Sequence, residues 1–355
     1  MAATAATGAA FGAALVASGV YQPAVIINQL TWDNCHMLQV FLSATAASAL
    51  VTTTAQKIGY ARFRPRQYAD HGWFAPYDGN IVGGLALGAG MALSGACPGT
   101  VLAQAAVGIR SGYFTLGGGL LGGTVWSVLL RPSLEDRKKA AAAAAATTTS
   151  TTRSKAQLPT SFQHLLGVSD TTSLVGFGLV FAAVVGASLA VYGPGPEARI
   201  SPVLGGLLIG LVQLLSVVTR KSLIGVSTLY EEVGDWLLYC TNSASFAATN
   251  PKKEEPKVSP ATSSLLFSLA IFAGARAFSL LVPYFGVSSS SSHAAAYTIS
   301  PAVAVLGGFI MALGSRVAGG CTSGHGISGM SLFSVSSYIT MAAAFVGGGL
   351  VGLLL

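Results

Sequence analysis

Four cysteines are spread along the chain, Cys35, Cys97, Cys240 and Cys321, and two of them stand in unusual company. Cys97 lies in Gly95-Ala96-Cys97-Pro98-Gly99-Thr100, and Cys321 in Gly319-Gly320-Cys321-Thr322-Ser323-Gly324-His325-Gly326. Each segment follows a long apolar run and precedes a short one, so each reads as a break between helices. Pro98 suits a first helical turn, where its missing N–H costs nothing, and Gly99 permits close backbone approach. Thr322 and Ser323 read as N-caps, with the next helix starting near Ile327. Each break thus presents a thiol beside free N–H donors and a positive helix end, which favours an anion. A neutral thiol is a weak S–H donor and a weak, polarisable acceptor. It suits a soft, sulfur-bearing anion better than sulfate or chloride. A thiolate would repel an anion, so both thiols are expected to work protonated. The cysteines show no CxxC spacing and no paired histidine, which argues against zinc or a redox dithiol.

Other side chains near the breaks are candidates for the same site. Arg316, five residues before Cys321, is a cation inside an apolar run, a functional position by default. His325 could donate to the anion or fix the loop. Cys240 ends LYEEVGDWLLYC, between an apolar stretch and a polar one, and Cys35 sits in the polar turn Asp33-Asn34-Cys35-His36. Arg110 reads as the C-terminal cap of the first short helix. Glu231, Glu232 and Asp235 read as interfacial carboxylates. Gln104 could face a pore or a neighbouring helix.

The elements that position these residues follow from composition. Hydrophobic residues make up 52% of the 355 and charged residues only 9%, against about 25% charged in soluble domains. That excludes a soluble enzyme or scaffold and leaves an all-α polytopic membrane protein. Apolar runs at roughly 8–30, 37–60, 79–97, 113–130, 172–192, 200–219, 222–240, 262–285, 299–320 and 336–355 suggest about nine crossings. The stretches 98–109 and 322–332 are too short to cross, and read as re-entrant half-helices buried in protein. No cleaved leader is expected. Setting Cys97 over Cys321 brings Gly83, Gly84, Gly90 and Gly95 onto Gly307, Gly308, Gly314 and Gly319, and a second glycine cluster follows each break. The chain therefore reads as two repeated halves, 1–130 and 166–355. Between them lies a flexible, basic, low-complexity linker, 131–165, and a polar loop is expected at 241–261. Repeat-built transporters place their substrate at the repeat interface. Lys57, Arg62, Arg64 and Arg66 form one basic loop and the linker another. Two crossings separate them, so both can face the cytosol. The net charge of +7 is dispersed, which argues against nucleic-acid binding. No cofactor or metal motif is present in the sequence.

GACPGTVLAQ at 95–104 and GGCTSGHGISG at 319–329 resemble the two signature segments of the YeeE/YedE family of sulfur-transport membrane proteins. GVYQPAVIINQL at 19–30 and NCHMLQVFLSA at 34–44 resemble its first hairpin. The resemblance spans most of both halves, but not the linker, the 241–261 loop or the serine run at 288–292. It implies thiosulfate uptake rather than enzymatic turnover, and an hourglass of helices with short ones meeting mid-membrane. The family's pore cysteines carry over to Cys97 and Cys321, and more loosely to Cys240. The surrounding Gly95, Pro98, Gly99, Thr100, Gly320, Thr322, Ser323, Gly324, His325 and Arg316 complete the expected site. Bacterial members that it resembles often work with a small soluble sulfurtransferase, which makes such a protein a candidate partner. The chain is expected to be a multi-pass integral membrane protein, with the plasma membrane favoured and an organellar membrane as the alternative. Two alternatives remain open at this point: another sulfur or selenium species as cargo, or a membrane thiol oxidoreductase cycling Cys97 and Cys321 through a disulfide.

Overall fold

The computed structural model describes residues 1–147, 159–195, 199–249, 262–285 and 299–354. The first half runs α1 (Ala2–Ala17), α2 (Pro23–Leu30), α3 (His36–Lys57), α4 (Asp78–Ser94), α5 (Thr100–Val107) and α6 (Arg110–Val125). A wider turn, Trp126–Leu130, leads into α7 (Arg131–Thr147). Then follow α8 (Phe162–Leu166), α9 (Asp170–Tyr192), α10 (Pro202–Arg220), α11 (Thr228–Thr249), α12 (Ser263–Leu281) and α13 (Pro301–Val317). After the wide π-type turns of Thr322–Gly329 and a short turn at Met330–Leu332, α14 (Val335–Gly352) closes the chain.

Six helices among the described residues are long and apolar enough to cross a membrane, or seven if α13 and the bent segment after it count as one span. That is fewer than the nine expected. α4 and α13 have 17 residues each and α1 has 16, because glycine-rich or Ser-Gly breaks end them early. The 222–240 run is not a span: Lys221–Ser227 lies outside any helix, and α11 then carries Glu231, Glu232 and Asp235. The linker expected at 131–165 begins as helix, since the charged first turns and the alanine run of α7 have high helix propensity. Within the 241–261 loop, residues 241–249 continue α11. Residues 148–158 and 250–261 and the serine run at 288–292 lie outside the described residues.

α4 and α13 cross antiparallel, backbone against backbone. A Cβ at Gly83 would lie 2.6 Å from the Gly314 carbonyl, and one at Gly314 2.7 Å from the Gly83 carbonyl. Gly90 and Gly307 face each other in the same reciprocal way, at 2.5 and 2.9 Å. With Cys97 set over Cys321, Gly83 thus meets the counterpart of Gly90, and Gly90 the counterpart of Gly83. The flanking helices obey the same rule: α6 packs on α13 and α14 on α4, while α1 packs on α12 and α3 on α10. Glycines make these approaches possible, Gly122 against Phe309 and Gly347 against Leu85. Small residues at helix crossings let dispersion act between backbones where no hydrophobic drive exists in lipid. α9 stands apart. It packs on α3, and few of its residues are buried, as expected for a lipid-facing helix.

Candidate functional site

Both breaks begin with a glycine in the left-handed region, Gly95 at φ 58° and Gly319 at φ 80°, where other residues are strained. After Gly95 the chain turns into α5, and Thr100 organises the turn. Its hydroxyl accepts from the Cys97 N–H at 2.8 Å and lies 3.3 Å from the Cys97 sulfur, while its own N–H points at that sulfur from 3.4 Å. Pro98 and Gly99 precede the first helical residue, and the Pro98 carbonyl accepts from Tyr230 Oη at 3.1 Å. Gln104 is buried and donates to the Gly95 carbonyl at 2.7 Å, so it staples the break shut.

The second break is built differently. Helical turns start at Thr322, not near Ile327, and neither Thr322 nor Ser323 caps them: the turns are of the wide π type, with no side-chain cap. The Cys321 carbonyl accepts from the His325 N–H at 2.7 Å, and the Cys321 sulfur lies 3.2 Å from Ser323 Oγ. His325 has both ring nitrogens engaged, Nδ1 with Ser337 Oγ at 3.0 Å and Nε2 with the Ala318 carbonyl at 3.1 Å. It therefore fixes the loop.

The breaks meet at one small cavity of about 30 Å³. Its wall includes Cys97, Gly99 and Thr100 from the first break and Thr322, Ser323 and Ile327 from the second, closed by Phe11, Leu15, Met37 and Phe41. Cys321, next to Thr322 in sequence, is fully buried and is not itself part of the cavity wall. Met37, Phe41 and Thr322 also line a second void of about 20 Å³, next to Gln29 and Met91. Cys240 is exposed on α11 and does not line the cavity. Cys35 is buried just before α3.

Several contributors are invisible in the sequence. Tyr230 is buried against Gly119 and Gly123, within electrostatic reach of both thiols. Arg66, from the loop between α3 and α4, reaches into the opposite half. Its Nε donates to the Gly324 carbonyl at 2.9 Å and its Nη1 to the Gly319 carbonyl at 2.8 Å. Burial pulls its pKa below the ordinary value, yet a guanidinium stays protonated in a protein. Arg316 pairs with Glu231 and donates to Ser227 Oγ at 3.3 Å. Glu231 also accepts from Arg131 at 2.7 Å, and Arg131 pairs with Asp235 at 2.7 Å. Glu231 and Asp235 are thus members of an ion-pair chain, and Glu232 caps α12 through the Ser264 and Leu265 N–H groups at 3.1 and 3.0 Å. The expected capping of α5 by Arg110 falls instead to Arg276, whose Nη1 lies 3.5 Å from the Ala106 carbonyl; Arg110 starts α6. Only a lone charge in an apolar run can flag such residues in a sequence, and that pattern marks Arg316 and Arg276 but not Arg66 or Tyr230.

A family model described as sulphur transport matches residues 17–350. A probable transporter from Xylella fastidiosa is 28% identical over 147 residues, which cover 41% of this chain and 87% of that protein.

Proposed function

The chain belongs to the YeeE/YedE sulphur-transport family, and from that premise we propose that it carries thiosulfate through the cavity where its two breaks meet. One observation supports this most: the fold brings Cys97 and the residues flanking Cys321 to a single cavity. The terminal sulfur of thiosulfate is large and polarisable. It can accept a weak S–H hydrogen bond from one thiol and then the other, with each contact weak enough to release it. The cavity surface is apolar, so the hydroxyls of Thr100, Thr322 and Ser323 would have to turn into it to supply donors to the sulfonate oxygens, without which a dianion would not enter. A void of about 30 Å³ holds roughly one water, so the walls must part for an ion to pass. Met37 suits that task, being unbranched and flexible.

The test is uptake of radiolabelled thiosulfate into liposomes that contain only this protein. Cys97→Ala and Cys321→Ala should each abolish flux while the variants still insert and remain folded. Wild-type flux in both would defeat the proposal. Competition by selenosulfate and sulfate in the same assay defines the cargo.

A further inference from the structure

The two breaks match in sequence, but their surroundings differ. At the first break a Cβ on Gly95 would meet Pro23 at 2.8 Å and Ile299 at 3.0 Å, both apolar. At the second, a Cβ on Gly320 would meet Nη1 of Arg66 at 2.8 Å, and one on Gly324 would meet its Nη2 at 2.9 Å. Gly320 and Gly324 thus lie directly against this guanidinium. Two of the five N–H donors of this fork are committed to the Gly319 and Gly324 carbonyls, and among the described residues Nη2 has no hydrogen-bond partner. Arg316, on the helix that ends at this break, lies beside the same loop. It donates to Ser227 Oγ at 3.3 Å, and among the described residues its buried Nε has no hydrogen-bond partner. Nothing comparable flanks Cys97: the other side chains on its cavity wall are apolar or hydroxylic.

We propose that Arg66 and Arg316 form a seat for the charged, oxygen-bearing end of a sulfur dianion whose soft end rests on Cys321. The inference builds on the thiosulfate reading and adds a division of labour. Cys97 reads only the sulfur, whereas the Cys321 end also reads charge. A planar fork suits a tetrahedral oxyanion because it can donate two parallel hydrogen bonds.

Two anions separate these contributions: thiosulfate, a dianion, and methanethiosulfonate, a monoanion with the same terminal sulfur. Equilibrium binding of both to the purified full chain is the measurement. Arg66→Gln should weaken thiosulfate about tenfold or more, as expected for charge-assisted hydrogen bonds, and methanethiosulfonate much less. The preference for the dianion should therefore collapse. Arg66→Lys should keep part of that preference, and the control Arg62→Gln, an exposed cation in the same loop, should keep all of it. A purely structural Arg66 would weaken both anions by the same factor. That result, or unchanged affinities in Arg66→Gln, overturns the seat. If Arg66→Gln does not fold, full wild-type preference in Arg316→Gln and Arg66→Lys overturns it. Selective binding without flux in liposomes would count against transport and leave the seat standing.

Discussion

Thr100 holds the Cys97 sulfur with both its hydroxyl and its N–H, so the thiol's direction depends on one side chain. Thr100→Val keeps the shape and removes the hydroxyl. Initial flux should fall about fivefold, the worth of roughly one net hydrogen bond, and Thr100→Ser should restore it. Equal flux in the two variants would show that the hydroxyl does not orient the thiol. Cys97, Cys321, Thr100 and Ser323 are legible in the sequence because their types are chemically distinctive and each stands inside a break. Arg66 and Tyr230 are not, because what defines them is contact with the other half of the chain. Local sequence holds no trace of the contact between Arg66 and these glycines until the loop that carries Arg66 is placed. His325 shows the opposite limit: its type suggests chemistry, and its two hydrogen bonds assign it to scaffolding.

Helices here are joined through glycine, and two kinds of glycine behave oppositely. Gly83 and Gly90 lie at the α4–α13 crossing, where an added side chain meets backbone. Gly83→Val or Gly90→Val should destabilise the protein by about 1–3 kcal/mol through overpacking, read as a lower unfolding temperature in detergent. Gly176 on α9 has open space around it, so Gly176→Ala should stabilise by about 0.5–1 kcal/mol through helix propensity alone. If the three shifts match in sign, the crossing has room for a side chain and its glycines are not required. The matched glycines are readable as a repeat from the amino-acid order alone, because periodic small residues in apolar runs have few other uses. The second short segment departs in detail from what its residues suggest. Thr322 and Ser323 look like caps, but the chain winds into wide turns over Gly324, Gly326 and Gly329, with Phe41 packed on Gly326. Tertiary packing overrides the local capping preference there.

On the scale of the whole molecule, the fold puts the Arg66 loop and Arg131 at the same end, both near the second break. Single cysteines introduced at Arg62 and Arg137 should therefore react with an impermeant reagent from one side of the membrane, and one at Arg110 from the other. Labelling of all three from one side would exclude this arrangement. That the chain is a set of apolar helices follows from its composition. Which helix packs on which does not, because composition does not encode partner choice between helices of equal apolarity. That pairing is cross-wise throughout: α1 on α12, α3 on α10, α4 on α14 and α6 on α13. Many transporters with inverted repeats work by rocking one bundle against another. A disulfide between Gly122→Cys and Ala312→Cys, whose Cβ atoms would stand 3.3 Å apart, ties α6 to α13 across the repeat boundary. Flux should be the same with this bond oxidised or reduced, and flux that returns only on reduction would show rocking. A frame braided from helices of both parts of the chain resists hinging. If flux survives the bond, opening and closing is expected from rotamer exchange of a few side chains around the constriction, on timescales far shorter than any domain swing.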